Sequence, residues 1–308
     1  MKDFSGKLAV VTGGGMGMGR ELTRQLAAEG CSVAICDLSV EAMAETKDLA
    51  LAEAKGDVTI TTHEANVSVE EQLMSFAREV GQQHGTDSIN LLFNNAGIAG
   101  GGSFVAGPRD EWERTFGACW FGVYYSCRTF MPMIVASTEG HIINTSSING
   151  FWASMGPDVP HTAYCAAKFA VKGFSEALIE DLRVNAPHVG VSVVMPGHIG
   201  TEIVTNTIAN QSVDTLPGLL EGAGTIVPET DDVTEMVEAF AKHFRESAPT
   251  SSAEAATIIL DGVKEGRWRI LVGDDAYALD ADVRARPEEA YDGSMITHVN
   301  SLRGPDGV

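Results

Sequence analysis

Short apolar runs alternate with longer stretches of helical periodicity along most of this chain. The runs have the length and the β-branched content of buried strands. The predicted strands cover residues 8–12, 32–36, 58–62, 89–93, 141–145, 191–195 and 268–272. Strands that alternate with helices predict a parallel sheet with helices on both faces. The predicted fold class is therefore α/β, a doubly wound (Rossmann) sheet.

The strand and helix signals continue without a break to residue 273 of the 308 residues. We therefore predict one catalytic domain over residues 1–273, with a charged C-terminal extension over residues 274–308. The extension is poor in apolar residues, which favours a peripheral position. It could wrap a neighbouring subunit, block one interface or be partly disordered.

A glycine-rich segment follows the first strand directly. Gly13, Gly17 and Gly19 lie in it, with Met16 and Met18 between them, and residues 20–30 then show helical periodicity. Glycines at these places allow a tight turn and a close approach of the backbone to a ligand. A pyrophosphate can then bind the free N–H groups and the positive end of the helix dipole. The strand, turn and helix together predict a dinucleotide site.

Asp37 ends the second strand, about 20 residues beyond the glycine-rich turn, where a carboxylate would bind a ribose 2′-hydroxyl. A 2′-phosphate would be repelled by Asp37, and the neighbouring Leu38, Ser39 and Met16 carry no positive charge. The predicted cofactor is therefore NAD and not NADP. The alternative interpretation is that Asp37 caps the following helix.

Tyr164 and Lys168 lie four residues apart in a predicted helix and therefore share one face. A free phenol ionises near pH ~10, and a cation within about 4 to 6 Å lowers that value by roughly 1 to 3 units. Tyr164 is thus a candidate acid and base whose pKa Lys168 would lower. The alternative is an ordinary pair on a helix surface.

With these motifs the chain resembles the short-chain dehydrogenase/reductase family in its compact, single-domain form. The resemblance runs from about residue 7 to residue 273. In chain order it rests on the glycine-rich turn, Asn94-Asn95-Ala96-Gly97 after the fourth strand, Ser147 after the fifth, Tyr164 with Lys168, and Pro196-Gly197.

The resemblance implies an oxidoreductase that transfers a hydride between NAD and an alcohol or ketone. It implies that Tyr164 is the proton donor and acceptor, and that Ser147 holds the substrate oxygen. Lys168 would lower the Tyr164 pKa and bond the nicotinamide ribose. From the residues alone, Ser147 could equally be a turn residue. The family also suggests a homo-oligomer, either a dimer or a tetramer.

The resemblance further implies a set of cofactor contacts. Asn66 and Val67 would flank the adenine, Asn95 would line the ribose side, and Ile199 with Thr201 would meet the carboxamide and phosphates. The full set is Gly13, Met16, Gly17, Met18, Gly19, Asp37, Asn66, Val67, Asn95, Ala96, Gly97, Tyr164, Lys168, Ile199 and Thr201.

Cys119 is a departure from the family pattern. The family usually carries an asparagine three residues before the glycine that is Gly122 here, where it holds a water that links the lysine to solvent. A thiol is a weak donor and acceptor, so the proton relay would be rerouted or slower. The alternative is that Cys119 is simply a small buried packing residue.

Two variable stretches bear on the substrate. Sixteen residues separate Ser147 from Tyr164, among them Phe151, Trp152, Met155, Pro157 and Pro160, and a segment at about 202–228 has the apolar content of a lid. Together they predict a bulky apolar secondary alcohol or ketone. The same apolar residues could instead cover the core or an interface. The resemblance also places His161 and His198 near the substrate mouth.

The formal charge of −21 argues against binding to nucleic acid or to an anionic membrane. The absence of a secretory signal and of an apolar run near ~18 residues predicts a cytoplasmic location. Five cysteines without metal-ligand spacing predict free thiols and no structural metal. The open alternatives are an NADPH-dependent carbonyl reductase and a weakly active NAD-binding regulator of the same fold.

Overall fold

The computed structural model describes residues 1–155, 159–209 and 233–292. Seven strands form one parallel sheet in the spatial order β3-β2-β1-β4-β5-β6-β9, and β7 pairs with β8 in a separate small ribbon. The strands are β1 Leu8–Thr12, β2 Ser32–Asp37, β3 Ile60–Glu64, β4 Leu91–Asn94, β5 Gly140–Thr145, β6 Val189–Pro196, β7 Ile199–Gly200, β8 Thr250–Ser251 and β9 Arg269–Val272.

Helices connect the strands and cover both faces of the sheet. They are α1 Gly17–Ala28, α2 Val40–Glu53, α3 Glu70–His84, α4 Arg109–Phe116, α5 Gly122–Val135, α6 Thr162–Asn185, α7 Ile203–Ala209, α8 Val233–Glu246, α9 Ser252–Lys264 and α10 Asp274–Ala285. Between α4 and α5 lies a π-helical turn, Gly117–Phe121, which the sequence did not predict. Short 3₁₀ turns occupy Ile148–Gly150 and Pro287–Glu289.

Alternate residues of the strands enter two separate cores. In β1, Ala9 and Val11 pack with α1, α2 and α9 on one face of the sheet, whereas Val10 packs with α3, α5 and α6 on the other. All of β1 is buried, as expected for a strand covered on both sides. The predicted doubly wound α/β fold is confirmed. β3 and β4 each begin two residues later than predicted.

A third core lies where β6 meets β9 at the edge of the sheet. Helix α10 and the turn after it pack there, with Ala276, Leu279 and Ala290 buried. The prediction of a peripheral extension is therefore wrong for part of residues 274–292, because Ala276, Leu279 and Ala290 are buried in this core while Tyr277 and Tyr291 are exposed. Residues 293–308 lie outside the described residues, as does the predicted lid from residue 210 to 228.

Within the ranges described, no helix has the length and apolar character needed to cross a lipid bilayer.

Candidate active site

The predicted site residues follow the carboxyl ends of the parallel strands. Gly13 follows β1, Asp37 ends β2, Asn95 follows β4, Ser147 follows β5 and Gly197 follows β6. In an open parallel sheet these ends lie along one edge, where α/β proteins bind their ligands. The fold thus places the sequence-predicted residues at a single edge of the molecule.

The glycine-rich turn between β1 and α1 leaves no room for side chains. A Cβ atom added to Gly19 would lie 1.9 Å from the carbonyl oxygen of Gly13. Gly17 has a φ of 53°, which L-residues with side chains rarely adopt. Met16 is the N-cap of α1 and makes no side-chain cap bond, and the first turn carries no acidic residue. The start of α1 therefore offers uncapped N–H groups to an anion.

Thr12 and Asn95 hold this turn against the end of β4. The Thr12 hydroxyl oxygen accepts hydrogen bonds from the backbone N–H groups of Asn95 at 3.0 Å and Ala96 at 3.1 Å. In return, the Asn95 side-chain amide donates to the carbonyls of Thr12 at 3.2 Å and Gly13 at 3.3 Å. Asn95 thus fixes the backbone of the turn. Thr12 does the same, and the sequence had not singled it out.

The Asp37 carboxylate binds the glycine-rich turn and does not cap α2. One oxygen accepts a hydrogen bond from the backbone N–H of Gly15 at 3.0 Å, and the other accepts from the N–H of Leu38 at 2.8 Å. The N-cap of α2 is Ser39, whose hydroxyl accepts from the N–H of Ala42. The alternative interpretation of Asp37 as a helix cap is therefore wrong.

Arg20 is a cation near the turn that the sequence analysis missed. Its guanidinium donates to the carbonyl of Gly15 at 2.9 Å, to Thr46 at 3.1 Å and to Glu45 at 2.6 Å. These bonds hold the guanidinium against the turn, and the Glu45 carboxylate neutralises its charge. The sequence could have indicated Arg20, because this arginine comes five residues after Gly15, at the start of α1.

Asn66 and Val67 follow β3, which lies next to β2 at the end of the sheet. The Asn66 side-chain oxygen accepts from the N–H of Ser68 at 3.0 Å, which closes a local turn. Val67 is buried, and a Cβ atom on Gly122 would lie 2.8 Å from it. Gly122 therefore allows α5 to approach this segment closely.

Ser147, Tyr164 and Lys168 meet at the end of β5. The Ser147 side chain interacts with the Tyr164 phenol, and this interaction lowers the pKa of the phenol. Lys168 Nζ lies 5.3 Å from the centroid of the Tyr164 ring and donates to the carbonyl of Thr145 at 2.9 Å. The Ser147 hydroxyl oxygen accepts from the backbone N–H of Asn149 at 3.2 Å, so its own proton is directed elsewhere. The face of α6 that carries Tyr164 and Lys168 thus lies next to Ser147.

The groups around Tyr164 do not lower the pKa of its phenol toward neutral pH. Burial is the largest effect and raises the pKa of Tyr164 above its ordinary value; Cys119 acts in the same direction, and the interaction with Ser147 opposes both. Burial also lowers the pKa of Lys168, which weakens the cation on which the sequence argument relied. Lys168 is not among the groups that shift the Tyr164 pKa in the protein alone, so the expectation that it lowers this pKa stays a prediction.

Cys119 lies inside the π-helical turn and reaches the same centre. A Cβ atom on Gly97 would lie 3.5 Å from Cys119 Sγ and 3.6 Å from Lys168 Nζ, so both atoms flank Gly97. The thiol donates to the carbonyl of Ile98 at 3.2 Å and is fully buried. π-helical turns often occur at functional sites.

Ile199 and Thr201 bring the last predicted segment to the glycine-rich turn. A Cβ atom on Gly17 would lie 3.3 Å from Thr201 Cβ and 3.3 Å from Glu202 Oε2. Ile199 is buried in β7. Glu202 Oε2 is buried and has no hydrogen-bond partner among the described residues. Nothing in the sequence distinguished Glu202 from the surrounding lid.

The apolar loop after Ser147 divides between core and surface. Trp152 is fully buried and Phe151 packs against the same third core, so neither forms a free substrate wall. The sequence analysis used Phe151 and Trp152 as evidence for a substrate pocket, whereas the structure packs both against the third core. Pro157 lies outside the described residues.

A cleft of about 490 Å³ opens beside the start of α6. Helix positions 162, 165, 166 and 169 line it, together with loop residues that include Ser154 and Pro160. Tyr164 and Lys168 do not line this cleft. His161 joins the two regions: it lines the cleft, and its ring centroid lies 4.7 Å from that of Tyr164. Burial lowers the pKa of His161 to about 4.

The cysteine and metal predictions have different outcomes. All five cysteines are buried and free, as predicted. Over the part of the chain that is described, no three His, Cys, Asp or Glu side chains come together as a candidate metal site. The absence of a metal stays a prediction.

Comparison with known proteins adds to this geometry. The family model for short chain dehydrogenases matches residues 7–212, which is more than half of the chain. The chain belongs to the short-chain dehydrogenase family. The family match covers every predicted site residue, from Gly13 to Thr201.

Individual relatives agree with the family assignment. SadH of Mycobacterium tuberculosis, described as an oxidoreductase, is 34% identical over 285 residues, which cover 92% of each chain. Mouse epidermal retinol dehydrogenase 2 is 31% identical over 65% of this chain and 62% of its own. A crystal structure of a short chain dehydrogenase/reductase from Burkholderia phymatum in complex with NAD matches with a TM-score of 0.76 at 27% identity, covering 94% of this chain and 95% of that one.

Proposed function

We propose that this short-chain dehydrogenase transfers a hydride between NAD and a bulky apolar secondary alcohol or its ketone. The observation that carries the proposal is the convergence of Ser147, Tyr164 and Lys168 at the end of β5, with Lys168 Nζ 5.3 Å from the centre of the Tyr164 ring. A hydroxyl donor and a phenol that act on one oxygen atom are the groups that alcohol oxidation requires.

The residues present fit a dinucleotide. The uncapped start of α1 would bind the pyrophosphate, the Asp37 carboxylate would accept from the ribose hydroxyls, and Asn95, Gly97, Ile199 and Thr201 would line the nicotinamide half. Asp37 also supports NAD over NADP, because its charge would repel a 2′-phosphate. When bound, NAD supplies the ring that accepts or donates the hydride, together with a positive charge in its oxidised form.

Each catalytic side chain has one task in this proposal. In alcohol oxidation, ionised Tyr164 takes the proton of the substrate hydroxyl. Ser147 donates its own proton to the substrate oxygen, since the N–H of Asn149 already fills one of its acceptor positions. Lys168, held by the carbonyl of Thr145, stabilises the ionised phenol. In ketone reduction the proton of Tyr164 moves the other way.

The proposed substrate class is supported by the apolar surroundings of the site. Val159, Pro160, Ala166 and Phe169 line the cleft beside the start of α6, and His161 connects that cleft to Tyr164. The relatives' names include both retinol and meso-2,3-butanediol dehydrogenases, which cover a large apolar alcohol and a small polar one. The panel of alcohols that tests the proposal must therefore vary both size and polarity.

We further propose a homo-oligomer, a cytoplasmic location and a catalytic domain over residues 1–273. The support for assembly is a group of aromatic side chains around the start of α5. Phe121 and Tyr124 are each more than a third exposed, and both rings contact that of Tyr125. Large exposed apolar side chains grouped in this way are typical of subunit interfaces.

The test combines cofactor titration with a substrate panel. NADH and NADPH binding are measured by fluorescence, and NAD-linked oxidation of secondary alcohols of graded ring size and polarity is followed by NADH absorbance. We expect tighter binding of NADH than of NADPH, and turnover that Tyr164→Phe abolishes without weakening NADH binding. Tyr277→Phe, an exposed tyrosine on α10, is the matched control.

Two results would favour one of the alternative functions over this proposal. NADPH binding as tight as NADH binding would favour the carbonyl reductase and show the role given to Asp37 to be wrong. NADH binding without oxidation of any panel member, unchanged by Cys119→Asn, would favour the regulator of the same fold.

A further inference from the structure

The C-terminal extension contacts both segments that carry the proposed substrate and nicotinamide contacts. It does so through Ala290 and Tyr291, which reach the loop after Ser147, and through Asp275, which reaches the turn after β6. From these contacts we infer that residues 274–292 form part of the active-site architecture. Trp152 and Asp275 are the positioning residues that link them to the site. The inference rests on the proposed function in that it gives these two segments catalytic roles.

The first link runs through Trp152. Its indole N–H donates to the carbonyl of Ala290 at 2.6 Å, and both residues are buried. Next to it, the backbone N–H of Ala153 donates to the phenol oxygen of Tyr291 at 3.1 Å. A buried donor that loses its acceptor keeps the full cost of its desolvation. The buried bond of Trp152 therefore holds the loop to the extension, and the bond of Ala153, between exposed groups, adds a second contact.

Trp152 passes this constraint on to the catalytic serine. Its carbonyl accepts from the Asn149 side-chain amide at 3.1 Å, and the same amide donates to the carbonyl of Ser154 at 2.8 Å. The backbone N–H of Asn149 then donates to the Ser147 hydroxyl. A continuous series of links thus joins residue 290 to Ser147, the residue that interacts with the proposed acid and base.

The second link runs through Asp275, in the first turn of α10. Its carboxylate accepts from the backbone N–H of His198 at 2.7 Å. A Cβ atom on Gly197 would lie 2.2 Å from the same carboxylate, so the glycine of the Pro196-Gly197 pair makes room for the extension. This contact fixes the backbone immediately before Ile199. The family match ends before residue 275, so it does not cover this part of the chain.

The extension is itself anchored to the sheet. Asp280 on α10 pairs with Arg269 of β9 and with Arg284, and it is largely buried. Leu279 and Ala276 are buried against Leu271 and Met195 in the third core. A helix held by an ion pair and by an apolar face is a stable base from which to position a loop.

The two halves of the site should therefore respond differently when the extension is disturbed. Hydrogen bonds from residues 274–292 reach the Ser147 loop, the His198 turn and Arg269. Loss of the Trp152 link should loosen Ser147 and leave the pyrophosphate site intact. The expected signature is lower turnover with unchanged NADH affinity.

The test uses two variants of the full chain, each of which removes one hydrogen-bonding group of the first link. Tyr291→Phe changes an exposed ring, whereas Trp152→Phe also shortens a fully buried one. Trp152→Phe deletes the indole donor and Tyr291→Phe deletes the phenol acceptor, and both keep an aromatic ring. Trp268→Phe and Tyr277→Phe make the same changes at exposed positions. Amide hydrogen exchange is measured over residues 146–154, with NADH affinity measured in parallel. We expect about fivefold faster exchange in each test variant, as for the loss of one hydrogen bond, and no change in either control.

A second readout separates positioning from general stability. The interaction with Ser147 lowers the pKa of Tyr164, so a looser Ser147 should move the acid limb of the alcohol-oxidation pH profile to higher pH in Trp152→Phe. Exchange equal to that of the controls in both test variants would overturn the inference, whatever the affinity for NADH. Failure of the unmodified protein to bind NADH would instead overturn the proposed function, and the exchange comparison would still decide the role of the extension.

Discussion

The Asp37 carboxylate and the backbone N–H of Gly15 are joined by a hydrogen bond of 3.0 Å. The bond links the end of β2 to the glycine-rich turn. The Asp37 carboxylate thus has two properties that substitutions can separate. One oxygen is the acceptor that holds the turn, and the negative charge faces the proposed ribose site.

Replacing this charge with a cation should reverse the cofactor preference. Leu38 is exposed directly beside Asp37, so Asp37→Ala combined with Leu38→Arg places a guanidinium where a 2′-phosphate would bind. We expect the ratio of NADPH to NADH affinity to rise at least tenfold, because a hydrogen bond to a charged group contributes about 1.5 to 3 kcal/mol. Fluorescence titration with both nucleotides measures the ratio.

Asp37→Asn is the control, since it keeps an acceptor for Gly15 and removes only the charge. It should weaken discrimination against NADPH without a large loss of thermal stability. An unchanged affinity ratio in both variants would show that another group selects the cofactor.

Glu202 places a second negative charge at the opposite side of the turn. Its buried Oε2 atom has no hydrogen-bond partner among the described residues and lies beside Gly17, where a pyrophosphate would approach. Two like charges about 4 Å apart repel by about 1 kcal/mol even in water. Glu202→Gln should therefore bind NADH about fivefold more tightly, and the gain should shrink at high salt. Isothermal titration at two salt concentrations measures both effects.

Glu180→Gln is the matched control for charge, since Glu180 is exposed near the far end of α6, paired with Arg183. Its NADH affinity should equal that of the unmodified protein. Weaker NADH binding by Glu202→Gln would mean that the carboxylate assists the cofactor instead of repelling it.

The features that sequence patterns could predict are those decided by local sterics and burial. The strand Leu8–Thr12 was predicted at its observed bounds because all of it is buried, and continuous apolar runs indicate such strands. The glycine positions were readable because only glycine fits a site where a Cβ would lie 1.9 Å from a carbonyl oxygen. Tyr164 and Lys168 share a face because the helical repeat alone requires it.

What could not be predicted depends on contacts between distant segments. Asp37 and Ser39 are both favoured helix caps, and only the approach of Gly15 shows which one caps α2. The burial of Trp152 depends on residue 290, and the extension's apolar residues are too few to reveal a packed face. The raised pKa of Tyr164 has the same origin, because a sequence shows the neighbouring lysine but not the loss of solvent.

Cys119 can be tested as a substitute for the family's asparagine. Its thiol flanks Gly97 together with Lys168 Nζ, and a thiol is a weak hydrogen-bonding group. Cys119→Asn should keep or raise the turnover number, since an amide at this point could order a water beside Lys168. Steady-state kinetics and thermal denaturation are measured together, with Cys119→Ser as the smaller comparison. A complete loss of turnover in a folded variant that still binds NADH would show that the thiol itself is required.

Ser147 should control the pH dependence of the reaction through Tyr164. Burial raises the pKa of the phenol, and the interaction with Ser147 partly opposes that rise. Alcohol oxidation needs the ionised phenol, so its rate should increase with pH up to the Tyr164 pKa. Ser147→Ala removes the opposing interaction, and its acid limb should therefore lie at higher pH than that of the unmodified protein. The turnover number should also fall by about 10²-fold, as for the loss of one donor to a developing oxyanion.

The comparison is made on pH profiles of kcat in both directions. Ketone reduction needs the neutral phenol, so its alkaline limb should move to higher pH in the same variant, because both limbs report one ionisation. Ser137→Ala is the control: Ser137 is also buried and donates to a backbone carbonyl, that of Ile134, after α5. A Ser147→Ala profile that falls in height without moving along the pH axis would mean that Ser147 only binds substrate and does not affect the ionisation of Tyr164.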